Sequence, residues 1–293
     1  MWLEQFIDPY YLQLMVLLGI NLILALGLNI ITGVTGQLSM GHAGFMSIGA
    51  YVSALCSVHL GMPFAVSLLM GGTAAALFGL IIGIPTLRLE GDYLAMVTIG
   101  FAEIVRVFFL NFKPAGGGIG LSGIPMKTNL IVVWALAILV VYFCYRLGRS
   151  RMGRAFYSIR EDEIAAEACG VPTTVYKVQA FVIGSFMGGL GGALYAHYMT
   201  YISPQDFGFM KSVELLNMVV LGGMGSIPGT FLGTFILTLA PEVLRFVQDY
   251  RLLFYGALLV ILMVFRPNGI LGDIRLYDIK AWWRKHRAVS NAK

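Results

Sequence analysis

The chain has 293 residues, of which 58% are hydrophobic and only 12% charged, with a mean hydropathy of +0.80. A soluble domain carries about 25% charged residues, so this composition calls for lipid and excludes an ordinary soluble domain. The net charge of +5 is no nucleic-acid signal. Basic residues gather at 146–160 and in the tail at Arg284, Lys285 and Arg287, where the positive-inside rule accounts for them.

A membrane-spanning helix needs about 20 mostly apolar residues. Candidate spans cover roughly 11–32, 38–59, 63–87, 92–112, 129–147, 175–199, 212–225, 229–247 and 252–266. The expectation is an all-α polytopic membrane protein with about nine spans, in a range of eight to ten because 212–225 is short and glycine-broken. The start, Met1-Trp2-Leu3-Glu4, has no basic region, so the first apolar run reads as an uncleaved helix. Lys/Arg bias places the 146–160 loop and the 273–293 tail in the cytoplasm. The N-terminus and the glycine-rich 113–127 loop then lie outside, the loop flexible and exposed. The whole of 1–293 reads as one membrane domain.

Small residues recur every fourth position at Gly184, Gly188, Gly192 and Ala196, at Gly71, Ala75, Gly79 and Gly83, and at Gly225, Gly229 and Gly233. Residues four apart share a helix face, and glycine lets backbones approach. These stripes read as packing faces, with a pore lining as the alternative. Leu28-Asn29-Ile30-Ile31-Thr32-Gly33 and Leu216-Asn217-Met218-Val219-Val220-Leu221-Gly222 look alike, and either internal duplication or chance accounts for it.

Between the spans, residues 146–172 stand apart. Arg146, Arg149, Arg151, Arg154 and Arg160 precede Glu161, Asp162, Glu163 and Glu167. Acidic residues early in a helix favour the positive end of its dipole. Alanines raise helix propensity, and Gly170 with Pro172 supplies a stop. The segment reads as a short surface helix that docks a cytoplasmic partner.

Two constellations bear on chemistry. Gly33, Gly36, Gly41, Gly44 and Gly49 interleave with Thr35, Gln37, Ser39 and His42, which predicts irregular backbone. At membrane depth such backbone faces protein or a water-filled cavity, so Gln37, Ser39 and His42 are candidates for a solute path, against a tight turn as the alternative. Glu103 and Arg106 sit mid-span at i and i+3. They either satisfy each other or line the path. No metal site follows from His42, and no disulfide or zinc spacing from Cys56, Cys144 and Cys169. There is no Gly-x-Ser-x-Gly elbow and no His-Glu-x-x-His. None of the seven lysines follows a glycine, so a P-loop is absent. If ATP powers the protein, another chain binds it.

The order of several motifs carries a resemblance. They are Leu28-Asn29 with Gly33-Val34-Thr35-Gly36-Gln37-Leu38-Ser39-Met40-Gly41-His42-Ala43-Gly44-Phe45, then Arg160-Glu161-Asp162-Glu163 with Ala165-Ala166 and Gly170, then Lys177 with Ala180-Phe181. Gly191-Gly192-Ala193-Leu194-Tyr195-Ala196, Leu221-Gly222-Gly223-Met224-Gly225-Ser226 with Pro228-Gly229, and Arg266-Pro267-Asn268-Gly269-Ile270-Leu271-Gly272 follow. Over most of its length the chain resembles the permeases of branched-chain amino-acid ABC importers, the LivM type. That implies a multi-pass inner-membrane permease domain that moves branched-chain or related amino acids by alternating access. It implies a homologous second permease, two cytoplasmic ATPases and a periplasmic solute-binding protein as partners. It implies no cofactor in this chain, with ATP and Mg in the ATPases. Residues 151–172 become the coupling segment, carried by Arg160, Glu161, Asp162, Glu163, Ala165, Ala166, Glu167 and Gly170. Ile164 interrupts the Glu-Ala-Ala…Gly pattern of such loops. Two alternatives are a urea or short-amide permease and an ion-coupled transporter using Glu103–Arg106.

Overall fold

The computed structural model describes residues 8–86, 91–243, 256 and 269–271. Every named element among them is helical. The chain order is α1 (Pro9–Leu28), a π-helical turn (Asn29–Val34), α2 (His42–His59), α3 (Phe64–Thr86), α4 (Asp92–Asn111) and α5 (Leu130–Arg149). It continues with α6 (Arg151–Glu161), α7 (Glu163–Ala168), α8 (Thr173–Met199), α9 (Phe209–Gly222) and α10 (Ile227–Val243). The fold is all-α.

Five helices are long and apolar enough to cross a membrane: Pro9–Val34, Phe64–Pro85, Asp92–Asn111, Leu130–Arg149 and Thr173–Met199. The expected count of about nine is not met among the described residues. α9 has 14 residues, about 21 Å by helical rise and short of a hydrocarbon core of about 30 Å. α10 is described for 17 residues. The predicted span 252–266, apart from Gly256, and the 273–293 tail lie outside the described residues.

Burial explains the differences in composition. The Pro9–Val34 span is 83% buried, while the α3, α4 and α5 spans are 22–33% buried. The exposed faces of the latter three are largely apolar, with Leu77, Ile81, Ile104, Ile131 and Ile138 outward, as lipid contact demands, and the Glu103–Arg106 pair on α4 is the exception. α2 is enclosed by α3, α4 and α8, so it tolerates Ser47, Ser53 and Ser57 along its length.

Glycine sets the core spacing. A Cβ at Gly49 would strike the Gly189 backbone, one at Gly192 the Met46 carbonyl, and one at Gly184 the Gly27 carbonyl. The stripe on α8 is therefore a packing face against α1 and α2, and Gly71 and Gly79 do the same for α3 against α2 and α8. Gly229 and Gly233 pack α10 on α9. Gly225 sits in the turn before α10 with φ +84°, not on the helix.

The 113–127 segment is tied down rather than loose. Leu121 forms an antiparallel bridge with Ile202. Tyr201 Oη donates to Ile119 O at 2.6 Å, and Ala115 is fully buried. Local turns and these cross-links outweigh the flexibility expected from its glycines.

Candidate functional site

α1 does not end as an ordinary helix. The Asn29 side chain lies against Gly33, and Asn29 Oδ1 accepts from Gly225 N at 2.8 Å. The turn widens to π geometry, with Thr35 N reaching Ile30 O at 3.3 Å and Gln37 N reaching Ile31 O at 3.1 Å. Thr35 Oγ1 donates to the same Ile31 O at 2.6 Å, a second donor on that carbonyl. Gly33 is required because a Cβ there would meet Asn29 Oδ1 and Gly225 N. Gly36 follows with φ +77°, a conformation that favours glycine. The irregular backbone expected near Gly33 is therefore present, centred on residues 29–41.

Arg160 clamps this break. Its guanidinium donates to Gly33 O at 2.5 Å and to Met224 O at 3.2 Å. Tyr157 Oη, on the same helix, lies 3.4 Å from Gly225 O. The N–H groups of Ile270 and Leu271 donate to Leu221 O and Gly222 O at 2.9 and 3.1 Å. These bonds satisfy carbonyls that the end of α9 leaves open. Four motifs far apart in sequence meet at one end of the molecule, each supplying a donor or a bare backbone to the others.

The charged segment forms two helices rather than one. Ser150 caps α6 by accepting from Gly153 N at 3.1 Å, and Asp162 caps α7 by accepting from Ala165 N at 3.0 Å. Caps of this kind contribute about 1 kcal/mol each. Glu161 therefore closes α6 and Glu167 sits late in α7, not early as the acidic run suggests. Gly170 takes φ +81° at the exit. α6 buries Ala155, Phe156 and Ile159 against the body. Glu163 forms an ion pair with Lys177, and Ala166 is buried. Arg160, Glu163 and Ala166 thus hold the segment in place. Arg151, Arg154, Glu161, Asp162, Ala165, Glu167 and Gly170 lie on the outer side. Ile164 is 82% exposed there, an apolar knob ringed by charge.

Gln37, Ser39 and His42 are all buried. The His42 ring sits between α1 and α8, close to Gly27 and Gly188, with Phe45 edge-on at 6.2 Å. Among the described residues Thr32 Oγ1, Gln37 Nε2, Ser39 Oγ, Ser47 Oγ and Tyr51 Oη have no hydrogen-bond partner within the chain. Buried polar atoms without partners are costly, and here most of them fall within 20 residues, 32–51. Glu103 and Arg106 lie elsewhere. They pair on the outer side of α4, with Arg106 Nε 3.0 Å from both Glu103 oxygens. The face of α4 toward α2 carries Thr98 and Ala102 instead. Sequence reasoning missed Asn21, Lys211, Glu214 and Thr238, which the structure joins. The signal was available: Lys211 and Glu214 have the same i, i+3 spacing as the α4 pair. Among the described residues no group of three His, Cys, Asp or Glu side chains could hold a metal.

A family model described as branched-chain amino acid transport system, permease component, matches residues 10–263. The chain belongs to this permease family. It is 37% identical over 87% of its length to the high-affinity branched-chain amino acid transport system permease protein LivM of Salmonella typhimurium, covering 66% of that protein. It is 34% identical to the LivH permease protein of Escherichia coli over 50% of this chain and 47% of that one. It is 26% identical over 68% of its length to the autoinducer 2 import system permease protein LsrC of Yersinia pestis, covering 61% of that protein. The permease described here spans about two thirds of the length of the LivM relatives. No solved structure matches it. Family and apolar helices together make it a multi-pass membrane protein.

Proposed function

We propose that this chain is the membrane-spanning subunit of an ATP-binding cassette importer that carries branched-chain or related amino acids into the cytoplasm of a bacterium. Its partners on this reading are a homologous second permease, two cytoplasmic ATPases that bind ATP and Mg, and a periplasmic solute-binding protein. Residues 1–293 act as one domain in the inner membrane, with 151–172 as the coupling segment and 273–293 as a cytoplasmic tail.

One observation carries the mechanism: Arg160 joins a surface helix directly to a broken transmembrane helix. Closure of the ATPases would push the outer side of α6 and α7, with Ile164 and Glu167 in contact. α6 cannot move without dragging Gly33 O and Met224 O, because charge-assisted hydrogen bonds contribute about 1.5–3 kcal/mol each. The π turn is the weak point of α1 and absorbs the displacement. Residues 35–42 follow it, and the unpartnered polar atoms of 32–51 gain water or solute. Gln37, Ser39 and His42 then border the path.

The test is reconstitution of the full complex in proteoliposomes with binding protein and labelled L-leucine, L-isoleucine and L-valine. ATP-dependent accumulation of at least one of them is expected. Uptake of urea or a short amide instead would replace the substrate class. Uptake driven by an ion gradient without the ATPases, and lost in Glu103→Gln, would replace the mechanism.

A further inference from the structure

The Lys211–Glu214 cluster occupies the middle of the membrane-spanning region and plays no part in the coupling geometry. Asn21 is the thirteenth of the 26 residues in the Pro9–Val34 span. Asn21 Oδ1 accepts from Lys211 Nζ at 3.3 Å, and Asn21 Nδ2 donates to Thr238 Oγ1 at 3.3 Å. Lys211 also pairs with Glu214 at 3.1 Å. Counting along α9 agrees with this depth. Lys211 precedes the Gly222 end by about 16 Å of helical rise, half of a core of about 30 Å.

The cluster is anchored inside and open outside. Asn21 is buried, whereas the Lys211 and Glu214 side chains keep 20% and 38% of their surface exposed. Charged groups at this depth face protein or a water-filled cavity rather than lipid. Among the described residues only Oε2 of Glu214 is engaged, so the carboxylate keeps an oxygen for another donor. The α4 pair differs, since both Glu103 oxygens are taken by Arg106. An ammonium and a carboxylate held side by side complement the two charges of a free amino acid.

We propose that Lys211 and Glu214 form a midplane station for a zwitterionic solute. Lys211 takes the solute carboxylate and Glu214 its ammonium, while Asn21, steadied by Thr238, keeps Lys211 in position. The station rests on the importer reading and adds to it a contact site on this chain. Opening the Lys211–Glu214 contact to admit the solute exchanges one ion pair for two weaker ones, so the solute is held and then released.

The experiment compares ATP-driven uptake of L-leucine by the reconstituted complex carrying wild-type chain, Lys211→Gln or Glu214→Gln. Each variant is expected to assemble with the second permease and ATPases and to lose at least tenfold in uptake. Uptake within twofold of wild type overturns the station. So does loss of the second permease on purification, which assigns the pair to the subunit interface. A further arm uses Met210→Cys, an exposed position one turn before Glu214 on α9, with Cys56, Cys144 and Cys169 replaced and both charges of the station kept. A charged, water-soluble thiol reagent should label it, and L-leucine should slow labelling at least threefold. Labelling that is absent, or unchanged by L-leucine, overturns the station. A wild-type complex that takes up no L-leucine removes the importer reading and the station together. Normal wild-type uptake beside unaffected variants removes the station alone.

Discussion

The two ends of the helix bundle are held by different forces. At the α6 end, one guanidinium reaches backbone carbonyls on two other elements, across a π turn and a positive-φ glycine. At the opposite end, neutral side chains interlock. His197 Nδ1 donates to Pro125 O at 3.0 Å, while Nε2 lies 3.1 and 3.2 Å from Ser53 Oγ and Ser57 Oγ. Ser57 Oγ donates to Ser67 Oγ at 2.9 Å, and Tyr51 stacks on Phe109 with centroids 4.1 Å apart. The first end relies on directional bonds to irregular backbone, from Arg160, Asn29 and the amides of Ile270 and Leu271. The second distributes its hold over α2, α3, α8 and the 113–127 segment. A junction of the first kind transmits a push, whereas one of the second kind keeps its shape.

Arg160→Ala should break that comparison most sharply. Losing both carbonyl contacts is expected to cost about 2–4 kcal/mol, less than two full charge-assisted bonds because the Met224 contact is exposed. Transport by the reconstituted complex should fall at least tenfold while the ATPases still co-purify. Arg160→Lys, which keeps one charged donor, should recover part of the transport. Wild-type coupling in Arg160→Ala would mean that α6 moves the core by another route. Gly188→Leu probes the region between the ends, because its side chain would displace the His42 ring. Overpacking of this kind costs about 1–3 kcal/mol, read as a lower melting temperature of the purified chain in detergent. Unchanged stability with altered transport would instead place that face on the path.

His197→Ala tests the opposite end. It should cost about 2 kcal/mol from lost hydrogen bonds and packing, yet leave the ratio of ATP hydrolysed to solute moved unchanged. A changed ratio would show that this end also switches. Smallest of all, Glu103→Gln should cost about 1 kcal/mol, because the amide oxygen still accepts from Arg106 and only the charge pairing on the outer side of α4 is lost. Thermal melting checks it, and a loss comparable to that of Arg160→Ala would make the α4 pair a working part of the bundle.

Hydropathy alone separated lipid-facing spans from the charged 151–172 segment, because both depend on the local run of residues and not on what they touch. Glycine spacing likewise announced the packing stripes, since a four-residue repeat selects one helix face whatever the partner. The motifs placed the irregular backbone near Gly33 for the same local reason. Direction and partnership were not local. Arg160 reads as one more surface arginine until the fold brings Gly33 O, 127 residues away, within hydrogen-bond reach. Lys211 reads as a flanking charge until Asn21, 190 residues earlier, supplies its anchor. Whether a charged side chain points to solvent or into the bundle turns on which distant carbonyls or amides can replace its water, and only the tertiary packing of helices decides that.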